Sequence, residues 1–140
     1  MPQQFTRKVL ANAVTLTGTP VASTGELVSA SDQFALYLNW TPAAAARTLT
    51  VTIEVSPDGN DLTNPTDANA AWHQYGEYDY SDADTKGRKT FNIEETSAAG
   101  TAVKLEPFIF ACPASRIRIK FSESGGGGGT ITATLLYRAS

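Results

Sequence analysis

The stretch TLTVTIEVS, Thr48–Ser56, alternates residue by residue, with Leu49, Val51, Ile53 and Val55 against Thr50, Thr52 and Glu54. Successive side chains of a strand point to opposite faces, so this stretch predicts a strand with one buried and one wet face. The same period recurs elsewhere. Gln33–Trp40 sets Phe34, Leu36, Leu38 and Trp40 on one side, and Arg116–Phe121 sets Ile117, Ile119 and Phe121 against Arg116, Arg118 and Lys120. In Thr130–Arg138, Ile131, Ala133, Leu135 and Tyr137 oppose Thr132, Thr134 and Arg138. These four segments are the expected core strands.

Weaker alternation marks Phe5–Leu10 with Val14–Thr17, Gly25–Ser29, Trp72–Tyr80, Arg88–Glu95 and Val103–Phe110, giving eight or nine strands. Breakers fall between them at Gly18, Pro20, Pro42, the turn Pro57–Asn60, Pro65, Gly87, Gly100, Pro113 and the run Gly125–Gly129. The alanines of Pro42–Arg47 favour a helix intrinsically, but a segment this short reads as a loop or a single turn. The expectation is an all-β chain, an antiparallel two-sheet β-sandwich of jelly-roll or Greek-key kind. Residues 25–140 form the sandwich domain; residues 1–24 are an N-terminal arm or the first strands.

The 140 residues suffice for one domain with a core. One His and one Cys leave no disulfide framework and no Cys/His zinc site within a single chain. Cys112, beside Phe108–Ala111 and Pro113, reads as a small buried hydrophobe. A net charge of -3 argues against a phosphate-binding field, so no nucleic acid is expected. There is no signal-peptide core and no apolar run of membrane-spanning length, so no membrane is expected and synthesis is expected in a cytosol.

Site chemistry is sparse. Ser56–Asp61 lacks the ligand spacing of a calcium loop and reads as a Pro-Asp-Gly turn leaving a strand. Asp79, Asp82 and Asp84 could gather a cation or be solvated loop acids. No nucleophile elbow is present, His73 has no partner that the sequence implies, and Gly125–Gly129 is followed by a strand rather than a phosphate-binding helix. No catalytic residue, metal ligand or cofactor is expected.

Surfaces carry more signal. Asp61–Asp84 holds six acidic residues and no Lys or Arg, and Lys86, Arg88 and Lys89 follow. Such a block could dock on the basic strand face Arg116, Arg118 and Lys120 of a neighbouring subunit, or both could be solvated faces. Trp72, Tyr75, Tyr78 and Tyr80 could form a sugar-binding platform or cover the core. Phe5, Arg7, Lys8 and Val9 could belong to an arm that adds a strand to a neighbour.

The runs Phe34–Trp40, Arg47–Asn60 and Arg116–Phe121, the glycine-rich turn and Thr130–Tyr137 resemble small β-sandwich structural proteins of tailed bacteriophages. In those proteins a Trp follows the Asp-Gly turn, and a late Ile-Arg-Ile strand pairs with the last strand. Here Leu62 stands where that Trp is expected, and Trp72 comes after an insertion. The resemblance implies a capsid decoration or cement protein at the capsid surface, otherwise a neck or tail component. Its partners would be the major capsid protein and copies of itself, with a trimer suiting three-fold lattice points. Contact regions would be Phe5, Arg7, Lys8 and Val9, the insertion around Trp72 and Tyr75, and the face of Arg116, Arg118 and Lys120. A carbohydrate- or receptor-binding module is the alternative.

Overall fold

The computed structural model describes residues 5–28, 33–59, 66–79, 87–90, 92–96 and 101–138. Its strands are β1 (Phe5–Thr17), β2 (Val21–Ala22), β3 (Glu26–Leu27), β4 (Gln33–Thr41), β5 (Thr48–Ser56), β6 (His73–Gln74) and β7 (Gly76–Asp79). They continue with β8 (Gly87–Thr90), β9 (Asn92–Thr96), β10 (Val103–Lys104), β11 (Phe108–Ala111), β12 (Arg116–Glu123) and β13 (Gly127–Arg138). No helix occurs among the described residues.

In the first sheet β1, β13 and β4 lie side by side, and β10 and β11 follow one another along the far edge of β4. In the second, β2 and β3 share one edge of β12, β5 takes its other edge, and β6 and β9 share the far edge of β5. Neighbouring strands run antiparallel in both sheets. Each sheet is thus four lanes wide. Numbered in chain order, the first sheet holds the first, eighth, third and sixth lanes, and the second holds the second, seventh, fourth and fifth. This is the antiparallel two-sheet sandwich that the alternation predicts. Of the connections between successive lanes, only β5 to β6 stays within one sheet.

Several strand boundaries differ from expectation because breakers interrupt lanes without ending them. Val103–Phe110 is split into β10 and β11 around Pro107, and Trp72–Tyr80 and Arg88–Glu95 are each split between the second sheet and a separate ribbon, β7 with β8. Ser29, Tyr80 and Phe91 lie outside the described residues. Phe5–Thr17 is instead one strand, kept in register with β13 by bulges near Ala11 and Val14. The last two strands do not pair. β12 belongs to the second sheet and β13 to the first, so the glycine run crosses the sandwich, and Gly127–Gly129 lie within β13 itself.

The core follows the predicted faces. Phe34, Leu36, Leu38, Trp40, Leu49, Val51, Ile53, Ile117, Ile119, Phe121, Ile131, Ala133, Leu135 and Tyr137 are all buried. Val55 is only half-buried, and its neighbour Ser56 is buried in its stead. The Asp58 backbone N–H donates to Ser56 Oγ at 3.1 Å, folding the turn over that end of β5. Cys112 is half-buried against the core margin rather than buried.

Parity also carries Glu123 inward, two residues beyond Phe121, and it is fully buried. Its Oε1 accepts from Trp40 Nε1 at 2.8 Å and from the Ala43 backbone N–H at 3.3 Å, and its Oε2 accepts from the Gly129 N–H at 3.0 Å. Three donors from three segments satisfy a carboxylate that burial would otherwise penalise.

Candidate functional site

The two outer faces of the sandwich differ in chemistry, because the strands that build them carry different outward residues. On the second sheet, outward Arg116, Arg118 and Lys120 of β12 all find acids of the same chain. Arg116 Nη1 lies 3.3 Å from Asp67 Oδ1, Arg118 Nε 2.7 Å from Glu54 Oε1, and Lys120 Nζ 3.7 Å from Glu54 Oε2. Glu54 sits directly across from Arg118 in the β5–β12 register, which makes it a cross-strand partner.

The insertion after β5 covers part of this face. Arg116 Nε donates to the Asp58 carbonyl at 3.1 Å, and Asp58 Oδ2 accepts from the Ala71 N–H at 2.6 Å. Asp67 Oδ2 also accepts from the Gly25 N–H at 2.7 Å, tying the insertion to the approach to β3. Arg116 is therefore only 5% exposed. Asp67, an acid of the 61–84 block, meets the basic face within one chain. Asp61, Asp82 and Asp84 lie outside the described residues.

Trp72 closes this arrangement. Its Nε1 donates to the Asp67 carbonyl at 2.9 Å, and the Arg118 guanidinium lies 4.2 Å from the centre of its ring. Tyr75 packs against Phe110 with ring centres 5.3 Å apart, at the margin of the core. The Trp72 ring thus meets Arg118 and the Asp67 carbonyl, while the Tyr75 ring meets Phe110. Tyr78 is in β7 of the ribbon, and Tyr80 is not among the described residues.

The outer face of the first sheet exposes several large apolar side chains, Phe5, Val9, Tyr37 and Ile109, among polar and basic ones. Phe5, Arg7 and Val9 share it on β1, with Phe5 59% exposed, whereas Lys8 shares the opposite parity with buried Leu10. Across the sheet run the rows Arg7, Leu136, Ala35 and Ile109, and Val9, Thr134 and Tyr37. Ile109 is 76% exposed and Tyr37 44%. Small Ala35 between Leu136 and Ile109 leaves a groove of about 440 Å³, lined also by Phe5. Sequence reasoning missed Tyr37, Ile109 and Leu136. The available signal was an apolar residue at a position whose parity is outward, as Tyr37 is between Leu36 and Leu38.

Among the described residues no three His, Cys, Asp or Glu side chains come together. His73 is exposed in β6 opposite Val55. Among the described residues one acid, Glu123, is fully buried, and it is committed to structural hydrogen bonds.

No protein-family model matches the sequence, and no curated protein matches it. In fold the chain is similar to the SPBc2 prophage-derived protein YomS, with TM-score 0.53 and 10% identity over 99% of this chain and 96% of that one. It is also similar to a chain of infectious bursal disease virus, Gx strain, with TM-score 0.54 and 15% identity over 97% of this chain and 32% of the viral one. A chain of the T13 particle of that virus gives TM-score 0.52 and 14% identity over 96% and 31%. This chain spans about a third of the length of the two viral chains. At such identities the likeness is one of fold. The prophage-derived protein shares the fold over nearly the full length of both chains.

Proposed function

We propose that the protein is a non-enzymatic structural component of a phage virion, a decoration or cement protein that binds the major capsid protein on the capsid surface. The observation that carries this reading is the agreement in fold with a prophage-derived protein over nearly the full length of both chains. The two four-lane antiparallel sheets support it, since double-sheet sandwiches serve in viral shells. Self-association, as a trimer at three-fold lattice points, belongs to the same reading, and many copies on a lattice turn weak single contacts into firm attachment.

Of the three expected contact regions, the N-terminal strand is the one the geometry favours. Its Phe5, Arg7 and Val9 lie on an open face, whereas Arg116, Arg118 and Trp72 are engaged within the chain. The test is to add purified protein to undecorated capsids and image them by electron microscopy. Density at regular lattice positions is expected. Bare capsids at saturating protein, or density confined to necks or tails, would overturn the decoration reading.

A further inference from the structure

The strands of the first sheet carry Arg7, Lys8, Lys104 and Arg138 and no acidic residue, in a chain whose net charge is -3. Arg7, Lys104 and Arg138 lie on the outward side, as their partners show. Arg7 pairs with outward Leu136, Lys104 with exposed Asn39, and Arg138 with exposed Phe5. Glu106 is outside the strands, in the connection between β10 and β11. The same face exposes Phe5, Val9, Tyr37 and Ile109. Beside the groove at Ile109 the same face has two further shallow depressions of about 360 and 270 Å³, lined among others by Leu136, Tyr37 and Thr134.

We propose that this outer face of the first sheet docks on an apolar, carboxylate-bearing surface of the shell protein, with Ile109, Phe5 and Tyr37 as anchors and Arg7 meeting a carboxylate. The proposal rests on the decoration reading and names the partner's chemistry. An open apolar face marks a contact surface, and an unbalanced positive rim selects an acidic partner. A second copy packed face to face is disfavoured, because each copy would bring only the cations Arg7, Lys104 and Arg138 and no strand acid to pair with them.

The experiment measures binding of the full chain to undecorated capsids by co-sedimentation, alongside its oligomeric state by analytical ultracentrifugation. Arg7→Glu and Ile109→Asp are each expected to weaken binding by about tenfold or more. Ala22→Glu, which adds an acid on exposed β2 of the second sheet, should stay within about twofold. Binding of the unchanged protein should weaken from about 0.05 to 0.5 M salt. Ile109→Ser, at a site that is 76% exposed, separates loss of contact from loss of fold when thermal melts are compared. Arg7→Glu and Ile109→Asp binding as tightly as the unchanged chain would overturn the proposal. So would Ile109→Asp dissolving an oligomer while capsid affinity per chain persists, since the occupant is then another copy. Failure of the unchanged protein to bind capsids is a different result, and it removes the decoration reading and this proposal with it.

Discussion

Trp40 and Glu123 join the two sheets through a buried hydrogen bond of 2.8 Å, from the indole Nε1 on β4 to the carboxylate on β12. Both side chains are fully buried, and the same carboxylate holds the Ala43 loop and the start of β13. Glu123→Ala leaves two buried donors, Trp40 Nε1 and the Gly129 N–H, without an acceptor, so a loss of about 3 kcal/mol is expected. Glu123→Gln keeps one acceptor but turns an amide N–H toward the Gly129 N–H or the Trp40 indole, costing about 1–3 kcal/mol. Urea unfolding monitored by tryptophan fluorescence checks both, and a glutamine variant as stable as the parent would contradict this account.

Gly129 packs where no side chain fits. A Cβ there would collide with Glu123 Oε1, lie 2.5 Å from the Thr41 carbonyl oxygen and 3.0 Å from the Ala43 nitrogen. Gly129→Ala should therefore cost about 2 kcal/mol or more through overpacking. Gly126 has φ +87° and nothing within 4 Å of such a Cβ. Its alanine variant should lose only about 1–2 kcal/mol, from the left-handed backbone alone. Chemical denaturation of the two variants side by side tests that order.

Arg118 and Glu54 form a 2.7 Å ion pair whose side chains are 19% and 12% exposed, with the Trp72 ring stacked over the guanidinium. A double-mutant cycle with Arg118→Met and Glu54→Gln should give a coupling of about 1 kcal/mol. The coupling should fall as salt rises, because the pair is only partly shielded from solvent. Zero coupling in low salt would reduce the pair to a geometric coincidence.

Asp67 ties the insertion to Arg116 and to the Gly25 N–H. Asp67→Ala removes the carboxylate partner of the nearly buried Arg116 guanidinium and should destabilise the fold by about 2 kcal/mol. Proteolysis of the parent and the variant checks the local consequence: cleavage within 57–71 should appear earlier in the variant.

Tyr137 is held above its ordinary pKa, first by burial and second by the nearby negative charge of Glu26. The unfolded chain therefore releases this proton first as pH rises, and folding stability present below about pH 10 is lost above it. Melting temperatures should decline through the alkaline range, and Tyr137→Phe should flatten that decline. Its hydroxyl donates to the Leu27 carbonyl at 3.4 Å, a long bond whose removal should cost little at neutral pH. An unchanged alkaline decline in the phenylalanine variant would count against this assignment.

Within each strand, the inward and outward residues were legible from alternation, as Leu49, Val51 and Ile53 and the row Ile131, Ala133 and Leu135 demonstrate. The same parity, carried two residues past Phe121, already pointed Glu123 inward, although its charge argued for solvent. Partners were not legible. β12 and β13 are separated by one short glycine turn, yet they lie in different sheets, and Arg118 meets an acid far from it in sequence.

The candidate site divides along the same line. The sequence by itself determined most of what each strand turns in and out, because the pleat fixes that locally, and it named Phe5, Arg7, Lys8 and Val9 as contact candidates, of which Lys8 falls on the inward parity. Only the tertiary structure decided which surfaces stay open. Cross-strand pairing gave Arg116 and Arg118 partners within the chain, while lane order set Phe5, Tyr37, Leu136 and Ile109 side by side on an uncovered sheet. Neighbourhood across a sheet depends on which distant segments pair, and alternation within one strand carries no information about that.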